Sequence, residues 1–98
     1  MKFEWDPIKE KANVRKHKVA FSEAAYVFAD RYALNMFDEG HSEDEDRWVT
    51  IGQTLSGKIL TIVHTYRKPE NGERIRIISA REATKTEARQ YLEGRNRQ

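Results

Sequence analysis

Residues 58–81, KILTIVHTYRKPENGERIRIISAR, hold two β-branched runs, Lys58 to Arg67 and Glu73 to Arg81, separated by Lys68-Pro69-Glu70-Asn71-Gly72. Apolar and polar side chains alternate along both runs, which is the period of a strand with one covered face. Pro and Asn-Gly between them are turn signals, so the stretch predicts an antiparallel hairpin. Upstream, Asp46 to Gln53 has the same character and joins Lys58 across the tight turn Leu55-Ser56-Gly57. A short strand near Ala33 to Phe37 brings the expected antiparallel sheet to four strands.

Helices flank the sheet in this reading. Asp6-Pro7 is an N-cap followed by proline at the first helical position, opening a helix to about His17. Ser22 caps a second short helix with Phe21, Ala24, Ala25 and Phe28 on one face, and Phe21 and Tyr26 at the staple positions. Thr84-Lys85-Thr86-Glu87 is a capping box for a last helix with Ala88, Tyr91 and Leu92 inward, ended by Gly94. The fold class is α+β: two N-terminal helices, a four-stranded antiparallel sheet and a C-terminal helix, in one domain over residues 1–98.

The chain has 98 residues, of which 38% are hydrophobic and 35% charged, so its core is thin. No apolar run exceeds Ile59 to Val63, which excludes a spanning helix. The start carries no apolar signal region, so a cytoplasmic location is expected. With no cysteine there is no disulfide, thiolate nucleophile or cysteine zinc site. No phosphate-cradling glycine loop or nucleophile elbow is present either, and no cofactor or metal is expected. The acidic run Asp38 to Asp46 lacks the alternating ligand spacing of a calcium loop and reads as solvated. Residues 1–57 carry 8 Lys/Arg against 11 Asp/Glu, and residues 58–98 carry 10 against 5, so the basic half is C-terminal. That asymmetry suits a polyanionic partner.

Symmetric pairing about the two loops sets Glu45 opposite Arg67 and Arg67 opposite Arg74. Trp48, Leu60, Ile62, His64, Tyr66, Ile75 and Ile77 then share the face that helices cover. Glu45, Arg47, Thr65, Arg67, Arg74 and Arg76 share one end of the other face, with Val49, Ile51, Ile59, Val63 and Ile78 further along. Like charges side by side in a sheet are unfavourable unless an anion compensates. The four arginines therefore either pair with Glu45, Glu73 and the acidic run, or hold phosphates through their planar guanidinium forks. His17 suits a helix C-terminus, and mid-strand His64 reads as a hydrogen-bonded core histidine. His41, in the loop leading to the arginines, is either solvated or a general acid or base.

Phe3-Glu4-Trp5-Asp6-Pro7 with Asn13 to His17, His41-Ser42 followed by Glu45 and Arg47 to Gly52, and Ile75 to Arg81 with Ala83-Thr84 together resemble the BrnT family of toxins. The resemblance spans nearly the whole chain and implies a small RelE-like fold and a toxin that cleaves RNA and inhibits translation. It also implies a cognate antitoxin, BrnA, that neutralises the toxin, carries the DNA-binding domain and assembles with it two by two. Arg67 and Arg47 are then expected to stabilise the phosphate, Arg76 and Arg74 to position RNA, and His41 or Glu45 to transfer protons. Arg81 and Ser79 belong to the same motif, but the hairpin register puts Arg81 opposite Leu60, roughly 20 Å from Arg67. Arg81 is therefore either a site residue or an anchor for the last helix. The alternative function is a catalytically inactive module that docks an antitoxin or another acidic partner.

Overall fold

In a computed structural model, which describes residues 2–41, 45–67 and 73–97, the two runs of 58–81 form the middle of a larger sheet than expected. The elements are β1 (Lys2–Glu4), α1 (Pro7–His17), α2 (Phe21–Ala24) continued by a 3₁₀ turn (Ala25–Ala29), β2 (Leu34–Phe37), a 3₁₀ turn (Glu39–His41), β3 (Trp48–Gln53), β4 (Ile59–Arg67), β5 (Arg74–Glu82) and α3 (Lys85–Asn96). The strand order is β1-β5-β4-β3-β2. Four strands pair antiparallel as predicted, but β1 adds a fifth, parallel to β5, so the sheet is mixed. A parallel neighbour is reached by a long crossover and no local turn announces it, so a three-residue strand beside a helix start has no turn to mark its pairing.

Trp48 pairs with His64 and Arg67 with Arg74, the register that symmetric hairpins require. Past Ile77 that register slips at a bulge between Val63 and His64. Arg81 consequently lies opposite Thr61, and Leu60 lies opposite Glu82, correcting the expected Arg81–Leu60 pairing. The bulge also changes which residues of β5 turn inward: Ile75 and Ile77 before it, Ala80 after it, all at most 2% exposed. These join Leu60, Ile62, Val19, Phe21, Ala24 and Val27 in the main core between the sheet and α1–α2. On the opposite face α3 buries Tyr91 against the β3 end of the sheet, where Ile51 is also fully covered.

Helix starts follow local chemistry, with one substitution of partner. Asp6 accepts from the Ile8 N–H at 2.9 Å, and the Thr84–Glu87 capping box is complete. Ser22 does not cap α2; the cap position is Ala20, and the Phe21 N–H instead donates to the Glu10 carboxylate from α1 at 2.8 Å. A cap delivered from a neighbouring helix satisfies the same orphan donor. Tyr26 is 56% exposed, so no staple forms, and Phe21 packs edge-on to Trp5 instead. At the other end α3 continues past Gly94 to Asn96, and Leu92 faces outward rather than inward.

Asn13 is the buried polar residue that joins the layers. Its Nδ2 donates to the carbonyls of Val19 (2.9 Å) and Ala80 (2.8 Å), and its Oδ1 accepts from the Ala80 N–H (3.1 Å). Because β1 pairs β5 only as far as Arg76, the amide takes the place of a neighbouring strand at Ala80. Asn13→Ala strands both backbone groups of Ala80 and should cost on the order of 2–3 kcal/mol. Thermal melts should show a Tm lowered by roughly 10–20 °C; an unchanged Tm would contradict this account of the α1–sheet joint.

Candidate active site

Two cross-strand rows build the site on the face opposite α1 and α2. Lys2 pairs with Arg74 and Arg74 with Arg67, so three cations lie side by side across β1, β5 and β4. In the next row Glu4 pairs with Arg76 and Arg76 with Thr65. Glu4 is the anion common to both: its carboxylate lies 3.7 Å from Arg67 Nε and 3.5 Å from Arg76 Nη1. Glu45 reaches Arg67 Nη2 at 3.8 Å. Among the described residues Arg74 makes no ion pair. The pairs that do form exceed the 2.7–2.9 Å usual for charge-assisted hydrogen bonds, and the like-charge row is unfavourable by about 0.2–1 kcal/mol per directly opposed pair.

Arg81 contrasts with all of them. It donates to both oxygens of Glu87, at 2.7 and 2.9 Å, and Glu87 also accepts from the Thr61 hydroxyl and the Thr84 N–H. The hydrogen bonds from Arg81, with those from Thr84 and Thr61, hold the Glu87 carboxyl down at about 2, and Arg81 is raised in turn. Arg81 thus ties α3 to β5. It does not join the arginine rows, and neither does Ser79, which sits opposite Val63 beyond the bulge.

The remaining expected residues fall as follows. Arg47 lies one residue before β3, half-buried, with its carbonyl accepting from the Asp38 N–H at 2.8 Å. His41 ends the 3₁₀ turn before β3, and its side chain lies outside the described residues. Beside Glu45 opens a cavity of about 490 Å³ lined by Glu45, Asp46, Trp48, Thr65, Tyr66 and Glu73. Thr65 is 2% exposed, and its hydroxyl has no hydrogen-bond partner among the described residues. Sequence reasoning missed Lys2 and Glu4, although the polar-apolar-polar alternation Lys2-Phe3-Glu4 is the strand signal that would have found them. No group of three His, Asp or Glu side chains converges as a metal site among the described residues.

His64 belongs to the core, as expected. It is fully buried, with the Phe28 and Tyr66 rings edge-on at 4.8 and 5.1 Å. Thr50 donates to Asn35, so its hydroxyl oxygen accepts at 2.7 Å from His64 Nε2–H, which leaves Nδ1 bare and the ring neutral. Burial pushes His64 down to about 4.

The chain resembles known proteins at the level of both family and fold. A family model described as "Ribonuclease toxin, BrnT, of type II toxin-antitoxin system" matches residues 5–87. The 1.1 Å crystal structure of the Brucella abortus ribonuclease toxin BrnT superposes with a TM-score of 0.64 at 24% identity, covering 87% of this chain and 99% of that one. No curated protein matches the chain.

Two pH windows separate His64 from Glu87. His64 is depressed on folding, so its contribution is complete above 6.5 and is lost as pH falls toward 4, amounting to at most about 3 kcal/mol. Urea midpoints of His64→Phe should fall less than those of wild type between pH 7 and pH 4, and parallel curves would refute this. Glu87 is likewise depressed, but its contribution is lost lower, between about 4.5 and 2. Glu87→Gln should lower stability at neutral pH and flatten the wild-type loss in that acid range.

Proposed function

The chain belongs to the BrnT family of ribonuclease toxins of type II toxin-antitoxin systems, a membership that brings an antitoxin partner with it, and we propose that its arginine face cleaves RNA without a metal and thereby inhibits translation. The observation that carries this reading is the contrast between Arg81, locked to Glu87 at 2.7 Å, and Arg67, held by Glu4 and Glu45 at no closer than 3.7 Å. Guanidiniums gathered at an electrostatic cost and only loosely neutralised are ready to exchange carboxylates for phosphate oxygens.

In the proposed reaction the RNA 2′-oxygen attacks its own phosphorus while a base takes its proton, and the bond to the 5′-oxygen breaks as an acid protonates that oxygen. Arg67 and Arg47 stabilise the charge that builds on the phosphorane-like transition state. Arg76 and Arg74 position the strand, and His41 or Glu45 moves the protons. Trp48 and Tyr66 of the neighbouring cavity offer aromatic surface to an unstacked base. The RelE-like character belongs to this reading. So does a BrnA-like antitoxin, two copies with two toxins, which covers the arginine face and alone contacts DNA.

Purified chain should degrade single-stranded RNA equally with and without EDTA. Arg67→Ala should keep its circular dichroism spectrum and lose roughly 10²- to 10³-fold in rate, the usual loss for one preorganised donor. Cleavage abolished by EDTA, or undiminished in Arg67→Ala, overturns the mechanism. Weakened antitoxin binding in Arg67→Ala with no cleavage by either protein would favour the docking module instead.

A further inference from the structure

β1 lies ahead of the residues that match the family model, yet it contributes two charged residues to the arginine face. We propose that Lys2 and Arg74 form a second phosphate subsite, which holds the phosphodiester next to the one bound by Arg67 and Arg76. The inference rests on the RNA-cleaving reading above and extends it to the length of strand the site grips.

The register supplies the geometry. Lys2 pairs in parallel with Arg74, and two residues along the same strand Glu4 pairs with Arg76 and contacts both Arg67 and Arg76. Side chains two apart on a strand share a face, so Lys2 lies on the face that Glu4 occupies. Neighbouring strands are about 4.8 Å apart, so the row Lys2–Arg74–Arg67 spans about 10 Å. That is room for two consecutive phosphates of an extended strand rather than one.

Charge divides the row into two parts. Arg67 and Arg76 share the Glu4 carboxylate, with Glu45 adding to Arg67. Lys2 is exposed, and neither it nor Arg74 makes an ion pair among the described residues. Among the described residues two adjacent cations thus have no protein anion, beside two that have one. A lysine on an edge strand also discourages other chains from pairing there, but that role requires no unpaired arginine alongside it. A nucleic-acid phosphate meets both features.

The test uses a pentanucleotide of 2′-O-methyl RNA, which the full chain can bind but cannot cleave because the attacking oxygen is blocked. Binding constants are measured between 50 and 300 mM salt for wild type, Lys2→Gln, Arg74→Gln and the double variant. Each phosphate neutralised on a single strand contributes about 0.7 to the slope of log K against log salt. The double variant should lose about 0.7 from the wild-type slope and bind several-fold more weakly at low salt, with Lys2→Gln alone losing part of this. Equal slopes in wild type and the double variant would overturn the subsite, as would failure of wild type to bind. Lys2→Gln keeps the test decisive should Arg74→Gln not fold, because an exposed edge side chain supports no core. Cleavage of unmodified RNA, run in parallel, separates the two ideas: cleavage with an unchanged slope removes the subsite alone, and a reduced slope without cleavage removes the catalytic reading alone.

Discussion

β4 and β5 pair in two registers joined at the bulge between Val63 and His64, and most of the molecule's organisation depends on that joint. Before it, Ile75 and Ile77 turn toward the helices while Arg74 and Arg76 turn away. After it, Ala80 takes the inward place and Arg81 comes to lie beside Thr61. Without the extra residue, the alternation of β5 would run unbroken and carry Ile78 away from the helices and Ala80 outward. Asn13 could not then reach both backbone groups of Ala80. The bulge therefore fixes the contact with α1 and, on the other side, the distance between the arginine rows and the Arg81–Glu87 anchor.

That distance sorts the arginines by chemistry. Arg81 has a bidentate carboxylate, a threonine and a helix cap gathered around one acid, a network whose members are satisfied by one another. Arg67, Arg74 and Arg76 sit where the sheet is uncovered by α3; Glu4 and Glu45 serve Arg67 and Arg76 at long range, and Arg74 has no ion pair among the described residues. A structural role would favour short bonds and matched charge. An anion-binding role requires the opposite, because a guanidinium fully engaged by the protein has no fork left for a phosphate.

The parts of this arrangement that were legible in the sequence are those set by near neighbours. The two hairpins follow from strand alternation and turn residues, and the α3 start follows from Thr84 and Glu87 three positions apart. His64 as a core residue follows from its phase in β4. What was not legible depends on partners remote in sequence. β1 is only three residues long and finds β5 across the whole helical segment. The Phe21 N–H takes its cap from Glu10 rather than from Ser22, and Asn13 looks like an ordinary surface residue of a polar helix until Ala80 is placed beside it. The bulge has no marker of its own in Ile77-Ile78-Ser79, so Arg81 was assigned the wrong partner by one residue. Of the site, the arginines were readable from strand phase, whereas Lys2 and Glu4 became visible only with the parallel pairing.

The strand that completes the charge pattern is also among the least held. β1 makes its pairings over three residues on one side only, and its packing comes from Phe3 against Phe28 and, just beyond it, Trp5 against Phe21. Short edge strands open at a small fraction of the global unfolding free energy. Each opening would take Glu4 from Arg67 and Arg76 and Lys2 from Arg74 together, removing one negative and one positive charge from the face. The net charge of the face is then nearly unchanged, but its distribution is not: the guanidiniums of β4 and β5 lose their shared anion and repel one another more strongly. An anion bound across the two rows opposes that repulsion and gains from a closed β1 through Lys2. An anion at this face and the docking of β1 would thus be linked through the same side chains, and the two aromatic contacts that hold β1 in place would influence the proposed site without touching it.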